Sequence, residues 1–508
     1  MMNLKMSLAD MLGHDYIDKI LKTNYFFDEE KRDEFEAAAY EEVEFYPASR
    51  YESNIKLAER IGETVIAPFD NNNTGAASTS FRKVFNKNSA PLSGRGCYRV
   101  GEDGKVYFVG KSEHYHASLG HGFDGYKLID NARKLNILNA THNNTRGYIT
   151  RILECELIKS ANGVESDAQL SDILTSTKPH VLNRVISLET GSLAAEAGIK
   201  MMLNRFYEIQ GNDAKYEGRI PVFFVMGDSS GGAEANYHGT TIFAQTFRNL
   251  WPDFYKKEQR NELCKVVPVK INDIEDFKVK IEKYNKPPYK TAGFMHEIVL
   301  MNYGGILLEK EYLQAAYELC REYDTPTMVD EIQSCIWYKE LFLFRKYELS
   351  PDFVIIGKGF SGGEYPASKV ITTAEMDTLI QFGALVTNGQ EELASLSYLI
   401  TMKFVQANGE EIERIQDYFF DSLVKLHKKH PDTIKKIEGL GYLASIVFNT
   451  LDEAKKFAVC VNEKCIDVSA QTYKTNCPAA VLLKLPLIVS KKEIDILTEK
   501  FESILKII

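Results

Sequence analysis

From about residue 180 the chain alternates short, wholly apolar runs with stretches whose apolar residues recur every three or four positions. VLNRVISLE (181–189), IPVFFVM (220–226), CKVVPVKI (264–271), AGFMHEIVL (292–300), TPTMVDE (325–331) and PDFVIIGKG (351–359) predict strands. The stretches AAEAGIKMMLNRFYEI and EKEYLQAAYELCREY (309–323) predict helices between them. Strands without a polar face, spaced by helices, belong to a mainly parallel sheet covered on both sides. Upstream the pattern differs. Residues 1–95 are polar with helical periodicity, broken at Pro47, and read as an N-terminal arm or extension; NNNTGAAS (71–78) reads as a loop. YRVGEDGKVYFVG (98–110) predicts a hairpin. After about 375 the pattern is helical again and ends in a small α/β unit.

Composition narrows the classes. A chain of 508 residues is expected to form two or three packed units, and 44% hydrophobic with 26% charged residues is a globular profile. The net charge of −10 argues against nucleic acid or an anionic membrane as a partner. No run approaches the roughly 20 apolar residues of a membrane span, and the first residues lack the apolar stretch of a signal peptide. The eight cysteines form no CxxC pair and no Cys/His group with zinc spacing. They read as reduced thiols of a cytoplasmic protein, with no metal site. His114 and His116 read as surface polar residues, Trp337 and Tyr338 as packing or pocket wall, and Met201 and Met202 as helix core.

Ligands of an open α/β sheet bind at the carboxyl ends of its strands. Three polar groups fall there: Asp330 closes TPTMVD, Lys358 closes PDFVIIGK, and Thr190-Gly191-Ser192 closes a strand and opens a helix. A partly unprotonated lysine forms an imine with an aldehyde. A carboxylate one strand away keeps a pyridine nitrogen protonated. A small-residue turn at a helix N-terminus offers N–H groups to a phosphate. Together these are the needs of pyridoxal phosphate. Each group also has an ordinary reading: a helix cap, a solvated loop, an N-cap.

The segment MVDEIQSCIWYKELFLFRKYELSPDFVIIGKGFSGGEYPASKVITT (328–373) resembles the class III aminotransferases of fold type I. It carries, in order, Asp-Glu-Ile-Gln after an apolar strand, Pro-Asp, a strand into Gly-Lys-Gly, a Gly-Gly pair and Tyr-Pro. The resemblance implies an α/β architecture with a seven-stranded, mainly parallel sheet in a large domain, and a smaller α/β domain from the N- and C-terminal segments. The corresponding division is 1–95 as extension, 96–180 and 376–508 as small domain, and 181–375 as the cofactor-binding domain. The resemblance also implies that Lys358 carries pyridoxal 5'-phosphate as a Schiff base and moves protons in catalysis, that Asp330 pairs the pyridine nitrogen, and that Gln333 lies beside the phenolic oxygen. Gly191, Ser192 and Leu193 match the phosphate turn. Tyr237 and His238 match the aromatic-His-Gly whose ring stacks on the cofactor. Glu297 sits where the family has Glu-Pro. Thr387 matches a threonine that reaches the neighbouring subunit's phosphate, implying a homodimer with the active site at its interface. Ser230–Asn236 imitates the phosphate turn but runs straight into Tyr237, leaving no room for the intervening helix and strand.

The resemblance departs in three places. Thr240 stands where the family often has arginine, Trp337–Glu340 replaces Gly-Arg-Thr-Gly, and Asn388–Glu392 replaces the residues after Thr387. The expectation is an aminotransferase moving an amino group between an amine or amino acid and an oxo acid, aldehyde or ketone by a ping-pong mechanism, on a substrate other than ornithine or 4-aminobutyrate. The alternatives are a racemase, epimerase, aminomutase or decarboxylase on the same fold, or an inactive binding protein with a relic fold.

Overall fold

A computed structural model describes the chain except for residues 1, 71–72, 74, 80–88, 143, 210, 212, 228–237 and 473–475. The predicted strands become β1 (Leu182–Leu188), β2 (Ile220–Met226), β3 (Lys265–Val269), β4 (Tyr289–His296), β5 (Thr327–Asp330) and β6 (Phe353–Ile356). One further strand, β7 (Ser368–Thr373), completes a seven-stranded sheet of order β1-β7-β6-β5-β4-β2-β3. The pairs β6–β5, β5–β4, β4–β2 and β2–β3 are parallel. β7 runs antiparallel to β6 and β1. The expected α/β architecture with a seven-stranded, mainly parallel sheet is present; the central strands β2, β4, β5 and β6 are buried almost throughout, as their apolar runs require, while the outer strands β1 and β3 are partly open.

Two boundaries differ from the sequence reading. The run AGFMHEIVL spans two strands: β4 starts at Tyr289 and stops at His296, and Val299–Leu300 pairs antiparallel with Ile306–Leu307. PDFVIIGKG leaves the sheet at Ile356. Gly357 breaks the ladder and Lys358–Ser361 forms a 3-10 turn.

Helix α1 (Gly191–Leu203) follows β1, and α2 (Glu392–Lys429) crosses to the C-terminal part. There Ile434–Leu440, Leu443–Phe448, β8 (Ala480–Leu483) and Ser469–Ala470 make an antiparallel sheet. The hairpin strands Tyr98–Gly101 and Val106–Phe108 are joined by a third, Pro91–Arg95. N-terminal helices His14–Phe27 and Arg32–Tyr40 bury Ile17, Leu21 and Phe35 in the same apolar cluster as Leu119 and Phe501. Each such side chain contributes roughly 1.5–3 kcal/mol of burial, so these helices are held by packing. Among the described residues no helix is long and apolar enough to cross a membrane.

Candidate active site

Lys358 begins the turn that follows β6, with φ of 44°, a left-handed conformation unusual for a side chain of this size. Ser118 Oγ donates to the Gly359 carbonyl at 2.6 Å, fixing the turn from outside. A Cβ on Gly359 would lie 2.4 Å from Trp337 Cζ3, so the turn rests directly on that indole. Lys358 Nζ stands 5.0 Å from the centre of the Tyr115 ring. Burial lowers its ammonium to about 8; Glu297, Asp330 and Cys335 pull it back up, and Lys111 adds to the lowering.

At the end of β5, adjacent carboxylates take separate duties. Asp330 Oδ1 accepts from the Ile332 N–H at 3.0 Å, and Oδ2 lies 3.1 Å from His238 Nδ1. Glu331 serves the core instead. Its carboxylate accepts from Phe344 N at 2.6 Å and from the Ser334 hydroxyl, and burial raises it to about 7. Gln333 Nε2 donates to Glu297 Oε1 at 2.9 Å, joining the ends of β5 and β4. The Gln333 Oε1 is buried and has no hydrogen bond among the described residues.

The turn after β1 lies beside His238. Thr190 caps α1, its Oγ1 accepting from Leu193 N at 3.4 Å, while the Leu193 N–H also reaches the Thr190 carbonyl at 3.1 Å. Gly191 and Ser192 lead the first turn, whose N–H groups have no partner within the helix. Ser192 Oγ accepts from Thr240 N at 3.0 Å and lies 3.0 Å from Thr240 Oγ1. Two glycines make this closeness possible. A Cβ on Gly191 would fall 2.3 Å from Ile332 Cδ1, and one on Gly239, with φ of 106°, 2.7 Å from Ser192 Cα.

Asp330, His238, Glu297, Gln333, Gly191, Ser192, Leu193 and Lys358 therefore gather at one end of the sheet. Thr387 lies apart, on an exposed turn; the next residue, Asn388, donates its N–H to Glu189 Oε1 at 3.3 Å, just before the Thr190 cap. Tyr237 and Ser230–Asn236 lie outside the described residues.

The sequence reading missed the opposite wall. Ser112, Glu113, His114 and Tyr115 have φ of 47°, 50°, 58° and 74°, four consecutive left-handed residues without a glycine. Three contacts hold this turn: Ser112 Oγ donates to the Lys484 carbonyl at 2.7 Å, Glu113 accepts from Arg99, and His121 Nε2 lies 2.9 Å from Glu113. The surrounding protein and neighbouring cations, Lys358 foremost, lower His114, whose outer edge stays open to solvent. Lys484, fully buried, donates from Nζ to the Gln333 carbonyl at 2.5 Å. The detectable signal was one lysine inside the apolar run AAVLLKLPLIV (479–489).

The family model for class-III aminotransferases matches residues 94–505. Acetylornithine aminotransferase of Clostridium acetobutylicum is 27% identical over 350 residues, covering 67% of this chain and 81% of that protein. Ornithine aminotransferase 1 of Staphylococcus aureus is 27% identical over 329 residues, covering 64% and 76%. Among solved structures, a transaminase from the marine bacterium Virgibacillus aligns with a TM-score of 0.68 at 17% identity, covering 90% of this chain and 98% of its own. An adenosylmethionine-8-amino-7-oxononanoate aminotransferase from Methanocaldococcus jannaschii aligns at 0.66 and 20% identity, covering 89% and 99%.

Proposed function

The chain belongs to the class-III aminotransferase family, and from that premise we propose which of its residues do the work. It is a pyridoxal-phosphate-dependent aminotransferase acting on an amine and an oxo substrate. Its residues fit the cofactor: a half-buried lysine, a buried carboxylate one strand away, an amide with an unsatisfied oxygen, and a turn kept open by Gly191 and Gly239. The bound cofactor supplies an electron sink for the bond broken at the amine-bearing carbon.

The rest falls to the protein. Lys358 holds the cofactor, then takes the proton from the substrate carbon and returns it one position away. Asp330, oriented by His238, keeps the pyridine nitrogen protonated. Gln333 addresses the phenolic oxygen. The N–H groups of Gly191 and Ser192, with the helix dipole, hold the phosphate. Leu193 is a weaker contributor, since its N–H is turned onto Thr190. Tyr237 is assigned to the face of the ring on sequence alone, and Thr387 to the phosphate of a partner subunit in a homodimer. Among the described residues no disulfide joins the cysteines, which agrees with a cytoplasmic enzyme.

The substrate differs from that of the ornithine relatives. Thr240 is occupied with Ser192 rather than free for a substrate carboxylate. The observation that carries the assignment is the half-buried Lys358 on the turn after β6, its amine 5.0 Å from the Tyr115 ring and within the field of Glu297 and Asp330 at the strand ends.

The test is direct. Purified protein with pyridoxal phosphate is reduced with borohydride, and the modified peptide is sequenced. The tag belongs on Lys358, and Lys358→Ala abolishes it. A panel of amine donors should convert the cofactor to its amine form. Retention of the aldehyde form with every donor, alongside a racemised or decarboxylated product, overturns the transaminase reading.

A further inference from the structure

The stretch 332–337, which follows β5, is turn and bend rather than helix or strand, so no ladder fixes its backbone. It nonetheless touches the site repeatedly. Gln333 Nε2 donates to Glu297 Oε1 at 2.9 Å, Cys335 Sγ donates at 3.7 Å to the carbonyl of Gly357, just before Lys358, and the Trp337 ring lies against Gly359, just after it. A buried carbonyl in such a stretch must find its partner elsewhere. Among the described residues the Gln333 carbonyl accepts from one group, Lys484 Nζ, at 2.5 Å.

Lys484 is itself firmly held. Its N–H donates to the Gly110 carbonyl at 2.9 Å, and its carbonyl accepts from Ser112 Oγ at 2.7 Å. Its side chain is fully buried, with Nζ 3.5 Å from the centre of the Trp337 ring. The next carbonyl, of Leu485, accepts from Trp337 Nε1 at 3.2 Å. The chain after β8 thus grips the stretch at both ends, Gln333 and Trp337. Leu483 and Leu485 flank the lysine, and no carboxylate pairs with it among the described residues. A buried amine without a counter-charge is costly where a third leucine would not be.

We propose that Lys484 is a positioning residue of this site: through the Gln333 carbonyl and the Trp337 ring it sets the Gln333 side chain beside the cofactor's phenolic oxygen. This rests on reading Gln333 as that side chain. One N–H of the Gln333 amide goes to Glu297; its second N–H and its oxygen are uncommitted among the described residues. Where they point follows from the backbone at 333, and Lys484 holds that backbone. The bond needs only an N–H, which a neutral amine supplies as an ammonium does.

The test reads the absorbance of pyridoxal phosphate bound to the full-length protein as pH is varied. A hydrogen bond at the phenolic oxygen biases the neighbouring proton, so the midpoint of the absorbance change reports on Gln333. Lys484→Met keeps an apolar stem on Trp337 and removes the donor. The midpoint should move by about 0.5–1 pH unit, the size of one ordinary hydrogen bond, and in the same direction as in Gln333→Ala. In Lys484→Met/Gln333→Ala it should move no further than in Gln333→Ala alone. The other groups around the pair, Lys358, Cys335, Glu297, Asp330, Lys111 and His114, are common to every variant. An unmoved midpoint in Lys484→Met overturns the proposal. So does an equal shift with and without Gln333, which is what a merely structural lysine would give. Lys484→Gln, whose amide ends one bond short of Nζ, replaces the methionine variant if that fails to fold. Borohydride tagging of the native protein separates the two ideas. No tag on Lys358 defeats the functional reading and this role with it, whereas a tag with an unmoved midpoint defeats the role of Lys484 alone.

Discussion

The amine of Lys358 is useful only when it is unprotonated, so its surroundings set the working pH. Burial brings the ammonium to about 8, which leaves a neutral fraction near physiological pH that an exposed lysine lacks. Because this value is depressed, the neutral form gains as pH rises through 8. The rate of cofactor capture by stripped protein should therefore climb about fiftyfold from pH 6 to 8 and level off above about 9, as stopped-flow absorbance would follow. A rate flat across that range contradicts the buried-amine account. Asp330 is read from charge as well. It is buried and hydrogen-bonded to His238, and the proposed role of its carboxylate is to keep the pyridine nitrogen protonated. Asp330→Asn, which cannot hold that proton, should lower kcat about a hundredfold or more, a barrier rise of about 2.7 kcal/mol, while the cofactor stays bound. A variant that loses cofactor instead of rate would reassign Asp330 to binding.

At the scale of elements, the site depends on how closely the start of α1 approaches β5. Gly191 allows that approach, and the atom a side chain would strike is the flexible end of Ile332. Gly191→Ala should weaken cofactor affinity about tenfold, and Gly191→Ala/Ile332→Ala should recover much of it, measured by equilibrium dialysis. Failure of the second substitution to help means the glycine serves the N–H geometry alone. The parallel strands were legible because each is an apolar run between helices, and Asp330 and Lys358 were legible as polar residues ending such runs. The left-handed turn Ser112–Tyr115 was not. Its conformation has no glycine to announce it and is imposed by contacts from distant segments, Arg99, His121 and Lys484. Nor was β7, whose KVITT reads as any short strand until β6 and β1 pair with it. Lys484 was visible in the sequence but uninterpretable there, since the groups around it, Gln333, Trp337 and Tyr115, lie 151, 147 and 369 residues away.

For the whole molecule, the proposal to test is that Thr387 reaches the phosphate of a partner subunit. Thr387 and Asn388 are exposed on the single chain, and the Asn388 N–H reaches Glu189 just before the Thr190 cap. A polar residue left on the surface beside the proposed phosphate turn is well placed to reach across a two-fold axis, where the same patch meets itself. Two variants separate the arrangements. Lys358→Ala cannot hold the cofactor covalently, and Thr387→Ala should loosen the phosphate. Each homodimer is then impaired at both of its sites. In a hybrid of the two, the site built on the intact Lys358 borrows Thr387 from the Lys358→Ala subunit, and becomes complete if the threonine acts across the interface. Mixed, dissociated and reassociated subunits should regain native cofactor affinity at one site per dimer. If Thr387 serves its own chain, no hybrid site is complete, and affinity stays at the level of Thr387→Ala. The same gel-filtration run fixes the state itself, since a dimer elutes at twice the 57.6 kDa of the chain; a stable, active monomer would return Thr387 to its own site.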